Sequence, residues 1–278
     1  MTDSVDDRVH RYLLDGGDAD LKRLLVISQV LAESARTALR RSGIAQGWTA
    51  IECGCGPLGA LLQLAELTGE AGQVTGVDLN AAAVDRVRST AGALALGNVT
   101  AFAGDIHDLG AGALGGPFDL AYTRLFLVHQ PDPVRTLRAI ASLLKPGGWL
   151  IAQESLRHPS PRSFPALDEV HAAWQLLVDL VEGSGAPPGL VDTLPESAAA
   201  AGLEVVRTDG SFAVGPADVF FRLYASSLAA ARERALAAGL TTARAIDELI
   251  GPLEAAASGD YHWATSPFFL DVTLRKPA

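Results

Sequence analysis

The sequence predicts an α/β fold, a parallel sheet with helices on both faces, finished by one antiparallel strand and carrying extra helices as a cover. Three observations predict it. Short apolar runs recur at 50–53, 73–79, 98–105, 116–124 and 149–154, each with a charged residue at or near its carboxyl end. Segments with the period of an amphipathic helix separate them. The first run passes directly into a glycine-rich turn, Gly54-Cys55-Gly56-Pro57-Leu58-Gly59, and then into a helix-like run at 60–67. Strand, glycine turn and helix in that order let a ligand's polar atoms approach bare backbone at the carboxyl end of a parallel strand.

Taken in order, residues 20–41 place Leu21, Leu24, Leu25, Leu31, Ala35 and Leu39 on one face, which predicts an amphipathic helix ended by Ser42-Gly43. Before it, Arg11-Tyr12-Leu13-Leu14-Asp15-Gly16-Gly17 is a short apolar segment and a flexible turn, read either as a flap over a ligand or as a lead-in to the helix. After the glycine turn, the run at 73–79 is a second strand carrying Asp78. Asn80 caps a helix over 81–96, which Gly97 stops. The third strand, 98–105, ends at Asp105, and the fourth, 116–124, ends at Arg124. Pro133 starts a helix whose Val134, Leu137, Ala141 and Leu144 share a face, and Lys145-Pro146-Gly147-Gly148 breaks it before a fifth strand at 149–154.

From 156 to 195 the pattern loosens into proline-rich turns around a helix at 166–182, the mark of an insertion. A helix at 194–201 and a strand at 203–207 follow. Residues 216–257 are helical again, with Gly239 as a break and Thr241 or Thr242 as a cap. The run at 268–274 is a last strand, which avoids a long crossover only by running antiparallel. The expectation is a seven-stranded Rossmann-like sheet laid out as 1–42 N-terminal helical cap, 43–155 ligand-binding core, 156–195 helical lid, 196–215 core, 216–265 helical lid and 266–278 core. Glu52, Asp78, Asp105 and Arg124 all fall at the edge where ligands of such sheets bind.

Composition narrows the partners. With 278 residues and 49% hydrophobic content, the chain can bury a full core without a partner. A net charge of -10 would repel a phosphate backbone, so nucleic acid is excluded as substrate. No window approaches eighteen uncharged apolar residues, which argues against a membrane span, and the acidic start Met1-Thr2-Asp3 does not read as a signal peptide; a cytoplasmic protein is expected. Cys53 and Cys55, in one tight turn, are too few for a structural zinc site and read as small buried fillers, so no metal is expected.

The spacing Gly54-x-Gly56-x-x-Gly59 satisfies a dinucleotide fingerprint, but two residues oppose a pyrophosphate. Glu52 would set a carboxylate near the phosphates, and Pro57 removes a backbone donor. A ligand with positive charge, such as the ammonium and sulfonium of S-adenosylmethionine (SAM), suits this turn better. The alternative is that Glu52 pairs with a neighbouring helix.

These motifs resemble the class I SAM-dependent methyltransferases, in particular the small-molecule branch of the type called methyltransferase domain 11 or 25, natural-product enzymes among them. Glu52-x-Gly54-x-Gly56 resembles the family's first motif, and Val77-Asp78 the acid that takes the ribose hydroxyls. Gly104-Asp105-Ile106 is similar to the adenine-contacting motif. Phe118-Asp119 through Arg124, His129-Gln130-Pro131-Asp132-Pro133 and Lys145-Pro146-Gly147-Gly148 resemble the fourth-strand region and the turn before the fifth strand. The likeness spans roughly 47–154, with a departure at Leu58, where many members carry the third glycine that stands here at Gly59. It implies SAM as cofactor, S-adenosylhomocysteine (SAH) as product, and a cofactor site of Tyr12, Glu52, Gly54, Gly56, Asp78, Leu79, Asp105, Ile106 and Arg124.

The implied reaction transfers a methyl group to an O, N or C nucleophile of a small, partly apolar metabolite, mainly by holding the reacting groups together. The competing reading keeps SAM as a non-methylating cationic cofactor for a rearrangement, elimination or decarboxylation. A base is needed only where the nucleophile must lose a proton, and His129, His158 and His171 are the candidates. Trp174, Phe164, Phe220, Phe221, Tyr224 and Trp263 either line an apolar pocket or belong to the core. The partner is a small molecule, with a homodimer as the open assembly.

Overall fold

The first strand, β1 (Thr49–Cys53), is buried from Ala50 onward, as a run without polar alternation requires at the centre of a parallel sheet. Residues 19–183, 187 and 189–278 are described by the computed structural model. Two helices, α1 (Ala19–Val30) and α2 (Ala32–Arg41), precede β1. The repeat then continues as α3 (Leu61–Thr68), β2 (Gln73–Asp78), α4 (Ala81–Ala93), β3 (Val99–Ala103), β4 (Phe118–Arg124), α5 (Pro133–Leu143) and β5 (Leu144–Ser155). Beyond it come β6 (Ser163–Phe164), α6 (Asp168–Gly183), α7 (Leu194–Ala200), β7 (Glu204–Ser211), β8 (Val214–Gly215), α8 (Ala217–Ala237), α9 (Ala243–Ala256), β9 (Trp263–Thr265) and β10 (Phe269–Arg275).

The main sheet has seven strands in the order β3-β2-β1-β4-β5-β10-β7, and β10 runs antiparallel to both β5 and β7. The strand order reverses between β1 and β4, the place where such sheets open a crevice. One face packs Phe118, Leu137, Ile140 and Leu194 under α5 and α7. The other packs Leu39, Leu61, Leu64 and Val84 under α2, α3 and α4. Helices α6, α8 and α9 share a third core of their own, built on Val170, Phe220, Phe221, Leu228 and Leu253.

Local chemistry explains the element ends. Asn80 accepts from the N–H groups of Ala82 and Ala83 and starts α4, Asp132 accepts from Arg135 to start α5, and Thr242 accepts from Ala245 to start α9. Gly43 and Gly239 take positive φ past α2 and α8, as the sequence predicts.

Four expectations need correction. The helix over 20–41 is two helices, because Leu31 leaves helical geometry at φ -97° and ψ 5°. The turn after α4 is made by Ala95 at φ 55°, not by Gly97. Lys145-Pro146-Gly147-Gly148 does not lie ahead of the fifth strand but within it, since Leu144 already pairs with Phe118 and a register shift absorbs the turn. The stretches read as helical lid with no strand, 156–195 and 216–265, contribute β6 and β9 to a small antiparallel sheet with β8, whose strands of two or three residues are too short to leave a sequence period. That sheet also claims Phe164 and Trp263, which stack with ring centroids 6.2 Å apart and stay exposed.

A buried polar network fixes the N-terminal helices against the sheet. Gln153 accepts from the Tyr122 hydroxyl at 2.8 Å and donates to Asp271 at 2.7 Å and to Ser34 on α2 at 2.9 Å. Every member finds a partner, which is the condition for a polar group to sit in a core. Among the described residues no helix is long and apolar enough to cross a membrane.

Candidate cofactor and substrate cavity

The carboxyl ends of β1 to β5 open into a cavity of about 900 Å3, roofed by α1, α6 and α8. Its floor begins at the glycine turn. Gly54 and Cys55 donate their backbone N–H groups to the Val77 carbonyl at 2.8 and 3.1 Å, which folds the turn back onto β2. Gly54 has φ 74°, and a Cβ there would meet the Phe126 ring at 2.3 Å. Gly56, at φ 55°, has open space where its Cβ would stand, so a ligand can approach its backbone.

Glu52 lies beneath this turn, 1% exposed, and both of its carboxylate oxygens accept from the Ala60 N–H, at 2.9 and 2.8 Å. A Cβ on Gly59, at φ 54°, would stand 2.3 Å from that carboxylate. The displaced third glycine therefore makes room for Glu52, which caps the start of the following helix, as the alternative reading has it, and also lines the cavity floor. Burial pushes its carboxyl up to about 8, while Arg124 and the Ala60 N–H pull in the opposite direction.

Arg124 ends β4, 8% exposed. Among the described residues its Nη1 has no hydrogen-bond partner, and no ion pair joins it to Glu52. An unpaired buried guanidinium nitrogen is costly, so its persistence on a cavity wall calls for an acceptor beyond the described residues. The next residue, Leu125, has φ 49°, a left-handed conformation rare outside glycine, and turns the chain away from the strand.

Asp78 and Asp105 stand on the same edge. The two Asp78 oxygens accept from the N–H groups of Gly56 and Asn80, each at 2.8 Å, and Asp105 accepts from His107 at 2.9 Å. Leu79 is 74% exposed beside them and Ile106 is buried, giving two apolar surfaces at the cavity wall. The structure thus brings Glu52, Gly54, Gly56, Asp78, Leu79, Asp105, Ile106 and Arg124 into one lining. Tyr12 lies outside the described residues, as do Ser184 and Gly185 of the glycine joint beyond α6.

Of the three histidines, only His129 lines the cavity; His158 and His171 are exposed and lie off its wall. The His129 residue is exposed at the cavity surface, and desolvation by the protein around it together with the nearby cations Arg234 and Arg23 lowers its pKa. Of the six aromatics, Trp174 lines the cavity, while Phe220, Phe221 and Tyr224 are core.

Four positions that line or brace the cavity escape sequence reasoning. Glu154, fully buried at the end of β5, accepts from the N–H groups of Phe126 at 3.2 Å and Leu127 at 2.9 Å and so fixes the turn that carries His129. Its place at a strand's carboxyl end, like Asp78 and Asp105, was the available signal. Arg157 ties the end of β5 to α6 through Asp179 at 2.8 Å and Glu182 at 2.7 Å. Arg23 and Arg234 reach the cavity from α1 and α8, and nothing in their local sequence marks them. Among the described residues no cluster of His, Cys, Asp or Glu could hold a metal ion.

Comparison with known proteins agrees with this geometry. A family model described as a methyltransferase domain matches residues 44–181. A 37.1 kDa uncharacterised protein from a transposon of Streptomyces fradiae is 29% identical over 232 residues, 82% of this chain and 61% of its own length. The ubiquinone biosynthesis O-methyltransferase of Nitrosospira multiformis is 33% identical over 122 residues, 44% of this chain and 48% of its own. The chain therefore spans between about half and three fifths of these curated relatives. The solved structure of the [4+2]-cyclase SpnF superposes with a TM-score of 0.54 at 22% identity, over 89% of this chain and 81% of that one, which establishes a shared fold.

Proposed function

The chain carries a domain of the class I SAM-dependent methyltransferases, and we propose that it uses this domain to transfer a methyl group from SAM to an O, N or C nucleophile of a small, partly apolar metabolite. One observation carries the proposal. A buried acid, Glu52, and a buried guanidinium nitrogen without a partner, on Arg124, stand near each other on the cavity floor without pairing. A ligand end that bears both an ammonium and a carboxylate satisfies both.

The remaining floor residues suit the rest of that cofactor. Asp78 offers acceptor oxygens to a ribose hydroxyl pair, Asp105 an acceptor to an exocyclic amine, and Leu79 and Ile106 apolar faces to a purine. Gly56 leaves its backbone open to close approach. When bound, SAM supplies a methyl group activated by a sulfonium. The protein's part is to hold a nucleophile against it in a dry space and to receive a proton where one must leave. His129, neutral at physiological pH because its pKa is lowered, is the group on the wall that can accept it. The segments 156–195 and 216–265 act as a lid, with α6 and α8 excluding water over the acceptor side.

Incubation with methyl-labelled SAM and a panel of apolar phenols, amines and acids tests this reading, with label expected in an organic product. SAM binding by calorimetry without label in any product would favour its use as a non-methylating cationic cofactor. Absence of SAM binding would sink both.

A further inference from the structure

The cavity has two chemically different ends. Its acids Glu52, Asp78 and Asp105 lie on the floor, at the strand ends, and Glu182 is engaged by Arg157. At the roof, Arg23 from α1 and Arg234 from α8 line the same cavity as His129, and the charge of each lowers the histidine's pKa. Arg23 is partly neutralised by Asp20, with contacts of 2.8 and 3.0 Å to one carboxylate oxygen. Arg234 has no ion-pair partner among the described residues. Asp192 is the other acid on the cavity wall, carried by the segment after α6. The rest of the roof is mostly apolar, with Leu24 and Ile27 of α1, Trp174 and Leu177 of α6 and Ala230 of α8 lining the cavity.

Building on the methyl-transfer reading of this cavity, we propose that the acceptor is an organic acid: an apolar body whose carboxylate is held by Arg234, with Arg23 behind it, and whose methyl-accepting atom stands beside His129. An arginine fork matches a carboxylate with two parallel N–H donors, and the apolar wall strengthens that pairing by excluding water. The arrangement also separates charges along the cavity, since the acidic floor faces the cationic cofactor and the basic roof faces the anionic acceptor. It keeps a neutral His129 between two cations, where a protonated imidazole would be repelled and a neutral one can take a proton.

Calorimetry of the full chain saturated with SAH tests the proposal, using 4'-hydroxybiphenyl-4-carboxylate and its carboxamide, which have nearly the same shape and differ in charge. The acid is expected to bind at least tenfold more tightly than the amide. Arg234→Gln should erase most of that preference while leaving affinity for the amide and for SAH unchanged, and Arg23→Gln should erase less. Equal affinity for the two probes, failure of both to bind, or a preference that survives Arg234→Gln would overturn the proposal. The cofactor reading fails separately: wild-type protein that does not bind SAH sinks methyl transfer, whereas an acid preference measured without SAH would still support the anionic site.

Discussion

The floor and the roof of the cavity are held in place by different means. On the floor, backbone donors do the positioning. Gly54 and Cys55 donate to Val77, Gly56 to Asp78, Ala60 to Glu52, and Phe126 and Leu127 to Glu154. On the roof, side chains do it. Arg157 grips Asp179 and Glu182, Trp174 Nε1 donates to the Arg157 carbonyl at 3.2 Å, and the Tyr224 hydroxyl donates to the Thr265 carbonyl at 2.9 Å. A backbone-built floor is stiff and takes its shape from glycines and acids at short spacing. A roof of helices joined by side chains separates from the sheet more easily, which is what loading a buried ligand requires.

The contrast is sharpest at Gly59. Alanine there would need φ 54° and a Cβ 2.3 Å from the Glu52 carboxylate, so either the turn or Glu52 must move. Gly59→Ala should cost about 2–4 kcal/mol in denaturant unfolding. Adding Glu52→Ala should return the part that comes from the clash, a coupling that a double-mutant cycle measures. A Gly59→Ala protein as stable as wild type would mean that the floor is not pinned in this way.

The floor's buried acids should also give it a pH signature. Glu52 is pushed up to about 8 and Glu154 to about 7, in both cases chiefly by burial, against an ordinary carboxyl value of 4.5. The folded protein therefore keeps protons that the unfolded chain has lost, so these groups favour the fold at low pH and that contribution drains away as pH rises from 4.5 through 8. Melting of the ligand-free protein should fall by about 2–6 °C between pH 5 and pH 8, and Glu52→Gln should flatten the slope. A level profile in wild-type protein would show that both carboxylates are already ionised in the fold at pH 5.

The same division explains what could be read in advance. Glu52, Gly54, Gly56, Asp78 and Asp105 each sit within a few residues of a strand end, so local pattern placed them at that edge, and the seven-stranded sheet with its last strand antiparallel followed from the run of strands and helices, though the strand order did not. The role of Gly59 was hidden because its cause, the Glu52 carboxylate, arrives from seven residues earlier and only the fold shows where it points. Arg23, Arg157 and Arg234 were invisible for a stronger reason. They reach one cavity from α1, the turn after β5 and α8, and a lone arginine carries no local sign of what it will face in the fold. The small sheet of β6, β8 and β9 escaped because register between strands of two or three residues is set by tertiary contact.

A smaller effect joins the two regions at His129, carried by a turn on the floor and perturbed by cations on the roof. Its lowered pKa means that the neutral form is present above that value and is lost as pH falls through it, below the ordinary 6.5. If His129 takes the acceptor's proton, kcat/KM should show an acidic limb with a midpoint below 6.5. Arg234→Gln removes one of the cations and should move the midpoint upward, and His129→Gln should abolish the limb. A midpoint that stays put in Arg234→Gln would place that arginine's charge too far from the imidazole to matter.

The smallest expected effect lies wholly on the roof, at Arg157. Its side chain is 30% exposed, and burial, which disfavours its charge, is outweighed by the pull of Asp179 and Glu182. Water screens such a pair, so Arg157→Met should change stability by less than about 1 kcal/mol and melting by about 2 °C or less. The consequence should instead be local. Arg157 links the end of β5 to α6 at Gln175, Asp179 and Glu182, while Val170, Ala173 and Trp174 of the first half of that helix are buried in the third core and Leu177, Val178 and Leu180 of the second half pack against it only partly buried. Without the arginine, backbone amides of the second half, around Val178 and Leu180, should exchange with solvent faster, while those of β1 and β2 keep their protection. Faster exchange on the roof with an unchanged floor would confirm that the two are held independently. Unchanged exchange in α6 would mean that its apolar contacts alone close the cavity, and faster exchange in β1 as well would mean that floor and roof open as one unit.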